Sequence, residues 1–119
     1  MEIMWQWSAP VDEPEHFQVL SFPLVIDLTD DDGDGTIGSG DVPDVVFIGM
    51  ADQTWSANGL LRAASGADGS ELWFDTSGHE LPSGFGPAAG ELVASSPGPE
   101  IVVMDVDNNM VSLLGTTCE

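Results

Sequence analysis

Seven carboxylates fall between residues 27 and 44: Asp27, Asp30, Asp31, Asp32, Asp34, Asp41 and Asp44. They are a third of the 21 acidic residues in the chain, which has a single basic residue, Arg62. Two like charges 4 Å apart repel by roughly 1 kcal/mol even in water. Such crowding calls for a cation that the protein cannot supply. Numbered from Asp30, side-chain oxygens stand at loop positions 1 (Asp30), 3 (Asp32), 5 (Asp34) and 12 (Asp41). Gly35 occupies position 6, where the loop turns sharply. Thr36 at position 7 offers its backbone carbonyl, and Ile37 at position 8 is apolar. This is the ligand spacing of an EF-hand-type calcium loop. The expected metal set is Asp30, Asp32, Asp34, Thr36 and Asp41, with Ca2+ as the cofactor. Position 12 is Asp rather than Glu, which shortens its reach and points to a dissociation constant on the order of 10⁻⁵ to 10⁻³ M.

The elements that position this loop read as strands rather than helices. Before it runs Pro23-Leu24-Val25-Ile26-Asp27-Leu28, and after it Pro43-Asp44-Val45-Val46-Phe47-Ile48-Gly49-Met50. Both are short, apolar and β-branched, and both are bounded by Pro, Gly and Asp. Further strands are expected near residues 59–64, 70–75, 87–92, 100–105 and 109–114, with a short edge strand at Ile3 to Trp7. No window carries sustained helical periodicity with caps. Leu60 to Ser65 and Glu71 to Thr76 read as the arms of a hairpin turned by Gly66-Ala67-Asp68-Gly69. Trp73 is expected in the core between sheets, and residues 77–84 as a linker. His16 reads as a surface histidine. His79 beside Glu80 is unlike an acid/base pair, because adjacent residues on an irregular loop rarely converge.

Composition limits the function. The 119 residues suit one domain at most. A formal net charge of −20 disfavours nucleic acid and anionic membranes. No segment is apolar over the ~18 residues that a membrane-spanning helix needs. The first residues lack the basic and apolar regions of a signal peptide, so an export signal is expected outside this chain. The single cysteine, Cys118, cannot form an internal disulfide and reads as incidental. No Ser-His-Asp order, Cys-His pair or phosphate-binding Gly-Lys motif is present. The chain therefore reads as non-catalytic.

Residues 22–50 and 85–105 look like two copies of one unit. Each has Phe, Pro, a strand, an acid followed by Leu, a loop, then Pro, an acid and an aliphatic strand. Pro43-Asp44-Val45-Val46 aligns with Pro99-Glu100-Ile101-Val102, and Met110 to Leu114 matches Leu60 to Ala64, a period of about 55 to 60 residues. The second loop, Val93 to Gly98, has no carboxylate. A strand, an Asp-rich Gly-Asp-Gly loop, Pro-Asp and a second aliphatic strand together resemble the FG-GAP (integrin-α-like, VCBS) repeat of calcium-binding β-propellers, over roughly residues 18–114. The hairpin ending Gly69-Ser70-Glu71-Leu72-Trp73 is similar to the outer strands of quinoprotein-type blades. The resemblance implies an all-β fold of antiparallel propeller blades in an incomplete propeller. It implies a lead-in over 1–16, a first blade-like repeat over 17–84 and a truncated second repeat over 85–119. It carries calcium onto Asp30, Asp32, Asp34 and Asp41 and adds Asp27 and Asp44 as further ligands.

Propellers close with four to eight blades, and this chain holds fewer than two. A fragment of a longer protein is the favoured reading; self-association through unpaired edges or a small open sheet pair are the others. The expected function is a calcium-stabilised, non-catalytic propeller segment of a secreted or cell-surface protein, in adhesion or in protein or glycan interaction. The alternative is a carbohydrate-binding module, or the propeller part of a polysaccharide-active enzyme, with Trp5, Trp7 and Trp55 stacking on sugars. The same indoles are otherwise expected to plug blade edges. A calcium sensor is disfavoured, because no flanking helices are there to open.

Overall fold

The computed structural model describes residues 1–8, 10–51 and 58–119. Trp55 lies outside the described residues. Among those described, the regular elements are nine strands: β1 (Gln18–Val19), β2 (Leu24–Ile26), β3 (Asp44–Met50), β4 (Asn58–Ala64), β5 (Glu71–Phe74), β6 (Leu81–Pro82), β7 (Ala88–Gly90), β8 (Glu100–Met104) and β9 (Met110–Leu114). Every pairing is antiparallel, and the described residues contain no helix. A six-stranded sheet runs β1-β3-β4-β5, with β2 also on β3 and β6 also on β4. A three-stranded sheet runs β7-β8-β9. The described residues do not form a closed propeller. The strands expected at 23–28, 44–50, 59–64, 70–75, 87–92, 100–105 and 109–114 all form within a few residues of those bounds.

The core lies between the sheets. Alternate residues of β3 and β4 (Val46, Ile48 and Met50; Leu61 and Ala63) meet Ile101, Val103 and Leu113 of the smaller sheet. Trp73 packs against this cluster, and its Nε1 donates to Gly115 O at 2.8 Å, tying the larger sheet to the C-terminal turn. β3 is buried along nearly its whole length. Its opposite face is covered too, because Trp7 packs edge-on against Phe47 with ring centroids 4.7 Å apart. A strand buried on both faces needs a continuous apolar run, and Val45-Val46-Phe47-Ile48 is one.

Two expectations are overturned. Ile3 to Trp7 is not an edge strand. The edge of β3 on that side is already taken by β1 and β2. The indoles instead bury themselves on the sheet face, with Trp5 Nε1 donating to Gly66 O at 2.7 Å. Residues 77–84 are not merely a linker, since β6 pairs with β4 at Asn58↔Pro82 and Gly59↔Leu81, and Leu81 is fully buried. Gly59 makes room for the neighbouring strand β3: a Cβ there would stand 2.1 Å from Ile48 Cγ2.

The two copies share one register. Ile26 pairs with Asp44 and Leu24 with Val46; Gly90 pairs with Glu100 and Ala88 with Val102. The offset is 64 residues in the first strand and 56 in the second, so the second copy differs by a loop eight residues shorter (64 − 56). The copies stack head to tail, so matching positions face the same way along the stack. Val46 of the first faces the second, while its counterpart Val102 faces outward and Ile101 faces back.

Candidate metal centre

The acidic loop hangs between β2 and β3, which are hydrogen-bonded neighbours, so its two ends are held a fixed distance apart. Inside it, carboxylates organise the backbone. Asp30 accepts from Gly33 N at 2.7 Å through one oxygen and from Gly35 N at 2.9 Å through the other. Asp32 accepts from Asp34 N at 3.0 Å. Asp34 accepts from Thr36 N at 2.8 Å and from the Thr36 hydroxyl. Asp41 reaches back across the loop to Asp31 N (2.7 Å), Asp32 N (3.3 Å) and Gly38 N (2.8 Å). The Gly38 N–H is the largest influence lowering the Asp41 carboxyl below its ordinary value, with those of Asp31 and Asp32 adding to it against partial desolvation. Gly35, at the sharp-turn position, has φ +87°, and Gly33 has φ +76°. Both lie in the left-handed region that glycine enters without strain.

One carboxylate oxygen from each of Asp30, Asp32 and Asp41 lies within 4.8 Å of the other two. Two oxygens that share a calcium ion at 2.3–2.6 Å stand no more than about 5 Å apart, so this trio fits such an ion. Each carboxylate oxygen has two lone pairs, so accepting one N–H leaves capacity for a cation. Asp34 lies outside the trio and is engaged with Thr36, whose hydroxyl and N–H both point to it. Asp27 is half-buried at the end of β2. A cavity of about 450 Å³ opens beside the loop, lined by Asp30, Thr36 and Ile37 on one side and Glu91 and Pro97 of the second copy on the other.

Asp44 plays a different part. It is fully buried at the first position of β3. It accepts from Leu28 N (3.1 Å), the Thr29 hydroxyl (3.0 Å) and Gly66 N (3.1 Å). It thus joins the end of β2 to the turn after β4. The second copy repeats this bond. Glu100, the counterpart of Asp44, accepts from Leu92 N (2.7 Å), the counterpart of Leu28, from Val93 N (3.1 Å), and from the Ser96 hydroxyl. The strut therefore persists where the loop has no acid cluster.

Sequence reasoning missed two supports of the trio. A Cβ on Gly40 would stand 2.7 Å from Asp32 Oδ2, so glycine there leaves room for that carboxylate. Asp31 accepts from Val42 N at 3.2 Å and bridges the loop's two ends. The first would have needed a contact map; the second is hidden in a run of three identical residues.

The other candidate groups fall as follows. Trp5 and Trp7 are half-buried on the larger sheet and line a cavity of about 250 Å³ with Val19, Pro23, Val45 and Phe47. His79 and Glu80 turn apart, as expected. His79 Nδ1 lies 3.0 Å from Asp75 Oδ2 and 2.6 Å from Ser77 Oγ, while Glu80 accepts from Asn58 Nδ2 at 2.7 Å. A Ser-His-Asp relay needs the serine and the acid on different imidazole nitrogens, and here both meet Nδ1. His16 is not a free surface histidine: its side chain is 22% exposed, beside Glu13.

The chain is similar to the biofilm matrix protein Bap1 of V. cholerae. Against that crystal structure the TM-score is 0.78 and the identity 34%, over 95% of this chain. The matched part spans 21% of the Bap1 chain. No protein-family model matches the chain, and no curated protein does. The FG-GAP resemblance accordingly rests on the residues that carry it.

Proposed function

We propose that this chain is a non-catalytic, calcium-binding segment of propeller type within an extracellular matrix protein, and that it contributes to adhesion. The observation that carries the reading is the 34% identity with a biofilm matrix protein over 95% of the chain, with a TM-score of 0.78. The convergence of Asp30, Asp32 and Asp41 supports the metal. Bound calcium would supply positive charge at the centre of the trio. The chain's own residues do the rest. Asp30 and Asp41 hold the loop backbone through its N–H groups, and Asp44 fixes the loop's ends to the sheet. Thr36 offers its carbonyl as a further ligand. Neighbouring strands are thereby held together in a chain whose net charge of −20 otherwise drives it apart.

The metal is tested by thermal unfolding across a calcium titration. Binding to the folded state alone stabilises by about 2.7 kcal/mol at a hundredfold excess over Kd. The melting temperature should rise by several degrees up to millimolar calcium and fall back with chelator, and Asp30→Asn with Asp41→Asn should abolish the rise. A flat titration sinks the calcium reading. Adhesion is tested separately, by retention of the labelled chain on biofilm matrix with and without chelator. Equal washout of this chain and a scrambled-surface control would remove the adhesive role while leaving the metal intact.

A further inference from the structure

The segment from Val11 to His16 makes a tight turn over the outer face of the larger sheet. His16 N donates to Glu13 O at 3.0 Å, and Glu13 has φ +50°. The turn is held from beneath. Arg62, fully buried in β4, donates from Nη2 to Asp12 O at 2.9 Å and to Glu13 O at 3.0 Å. The only basic side chain of the protein thus fixes backbone here and leaves the glutamates of the turn without a cationic partner from Lys or Arg.

Three metal-ligating side chains converge at this turn. A carboxylate oxygen of Glu13, one of Glu15 and a nitrogen of His16 lie within 4.8 Å of one another. The two glutamates are exposed and His16 is half-buried. Within this group His16 Nδ1 is shut off from solvent and has no hydrogen-bond partner, its nearest carboxylate oxygen being Glu13 Oε2 at 3.7 Å. A buried ring nitrogen left unpaired is costly. Glu13 Oε2 stands too far away to accept a hydrogen bond from it, yet at the spacing of two ligands on one ion.

We infer that Glu13, Glu15 and His16 form a second metal site, for a borderline divalent cation of the Zn2+ type. The donor set decides the class. Imidazole with two carboxylates suits Zn2+ and its transition-metal neighbours, whereas calcium takes oxygen ligands. The site is open on its glutamate side, which leaves a position for water or a fourth ligand from elsewhere. It shares no residue with the acidic loop and does not rest on the calcium reading.

The test is a Zn2+ titration of the whole chain in saturating calcium, by calorimetry and by the imidazole proton resonances. The wild type should bind one equivalent, with the His16 resonances shifting and those of His79 unmoved. Glu15→Gln and His16→Asn should each weaken binding by about tenfold or more. Asp32→Asn in the acidic loop and His79→Asn beside Asp75 should leave it unchanged. Should His16→Asn fail to fold, Glu13→Gln and Glu15→Gln decide, because both alter only exposed side chains. Binding that survives the glutamate variants, that disappears with His79→Asn, or that is missing from the wild type would overturn the assignment.

Discussion

Arg62 shows how much one residue determines here. It is fully buried, its Nη1 pairs with Glu71, and its guanidinium carbon lies 5.3 Å from the Phe74 ring centroid and 6.0 Å from that of Trp7. Arg62→Ala should cost about 2 to 4 kcal/mol, because it removes the ion pair, the stacking and the anchor of the turn at Asp12 and Glu13. Urea denaturation measures it, and a loss under 1 kcal/mol would show the pair to be dispensable. Glu100 makes a second residue-scale prediction. The Ser96 hydroxyl, followed by the Leu92 N–H, lowers its carboxyl below 4.5, the ordinary value. A depressed folded pKa gives stability that is full above the unfolded value and lost as pH falls through the folded one. Glu100→Gln should therefore narrow its gap from the wild type in urea midpoint between pH 7 and pH 3; a gap constant over that range would refute the strut. At Cys118 burial, with Asp75 behind it, pushes the thiol up to about 12. Its alkylation at pH 8 should be slow and should accelerate on unfolding, with a rate equal to that of a free thiol counting against burial.

At the scale of elements, seven of the nine described strands were legible and the two shortest were not. β3 and β4 could be read because β-branched and apolar runs stand between Pro, Gly and Asp. β1 and β6 have only two residues each, and they are strands because β3 and β4 offer them partners, which no local preference encodes. The acidic loop was legible from its spacing, and three of its four side-chain candidates, Asp30, Asp32 and Asp41, converge. The position of Asp34 depends on the Thr36 hydroxyl, and the clearance at Gly40 depends on where Asp32 folds over it, neither of which a ligand pattern contains. These glycines separate two effects. Gly35→Ala forces a side chain into the left-handed region and should cost about 1 kcal/mol even with chelator present. Gly40→Ala presses on the mobile end of Asp32, so chelated stability should stay within about 0.5 kcal/mol of wild type while calcium affinity falls. Equal loss in both conditions for Gly40→Ala would mean that its role is in the backbone.

At the scale of the molecule, charge and stacking dominate. With 21 acidic residues against one basic, repulsion is felt over the whole surface, and salt screens it beyond about 10 Å at 0.1 M. The unfolding midpoint should rise steadily with sodium chloride in the presence of chelator, and a midpoint that falls would show that specific ion pairs outweigh the general field. The two copies read from the aligned residues 22–50 and 85–105 stack head to tail. Val102, Met104 and Met110 belong to the small sheet's outward side, where the residues covering the equivalent side of the first copy have no counterpart among the described residues.

The strut formed by Asp44 and Glu100 has a practical corollary. Because the acid that opens the middle strand fastens the bend whether a twelve-residue acid-rich loop or a short neutral run lies between, the two intervals should be exchangeable. Transplanting the acid-rich segment into the shorter bend should yield a molecule with two ion-responsive joints, and the reverse graft one with none, without redrawing the scaffold that carries them.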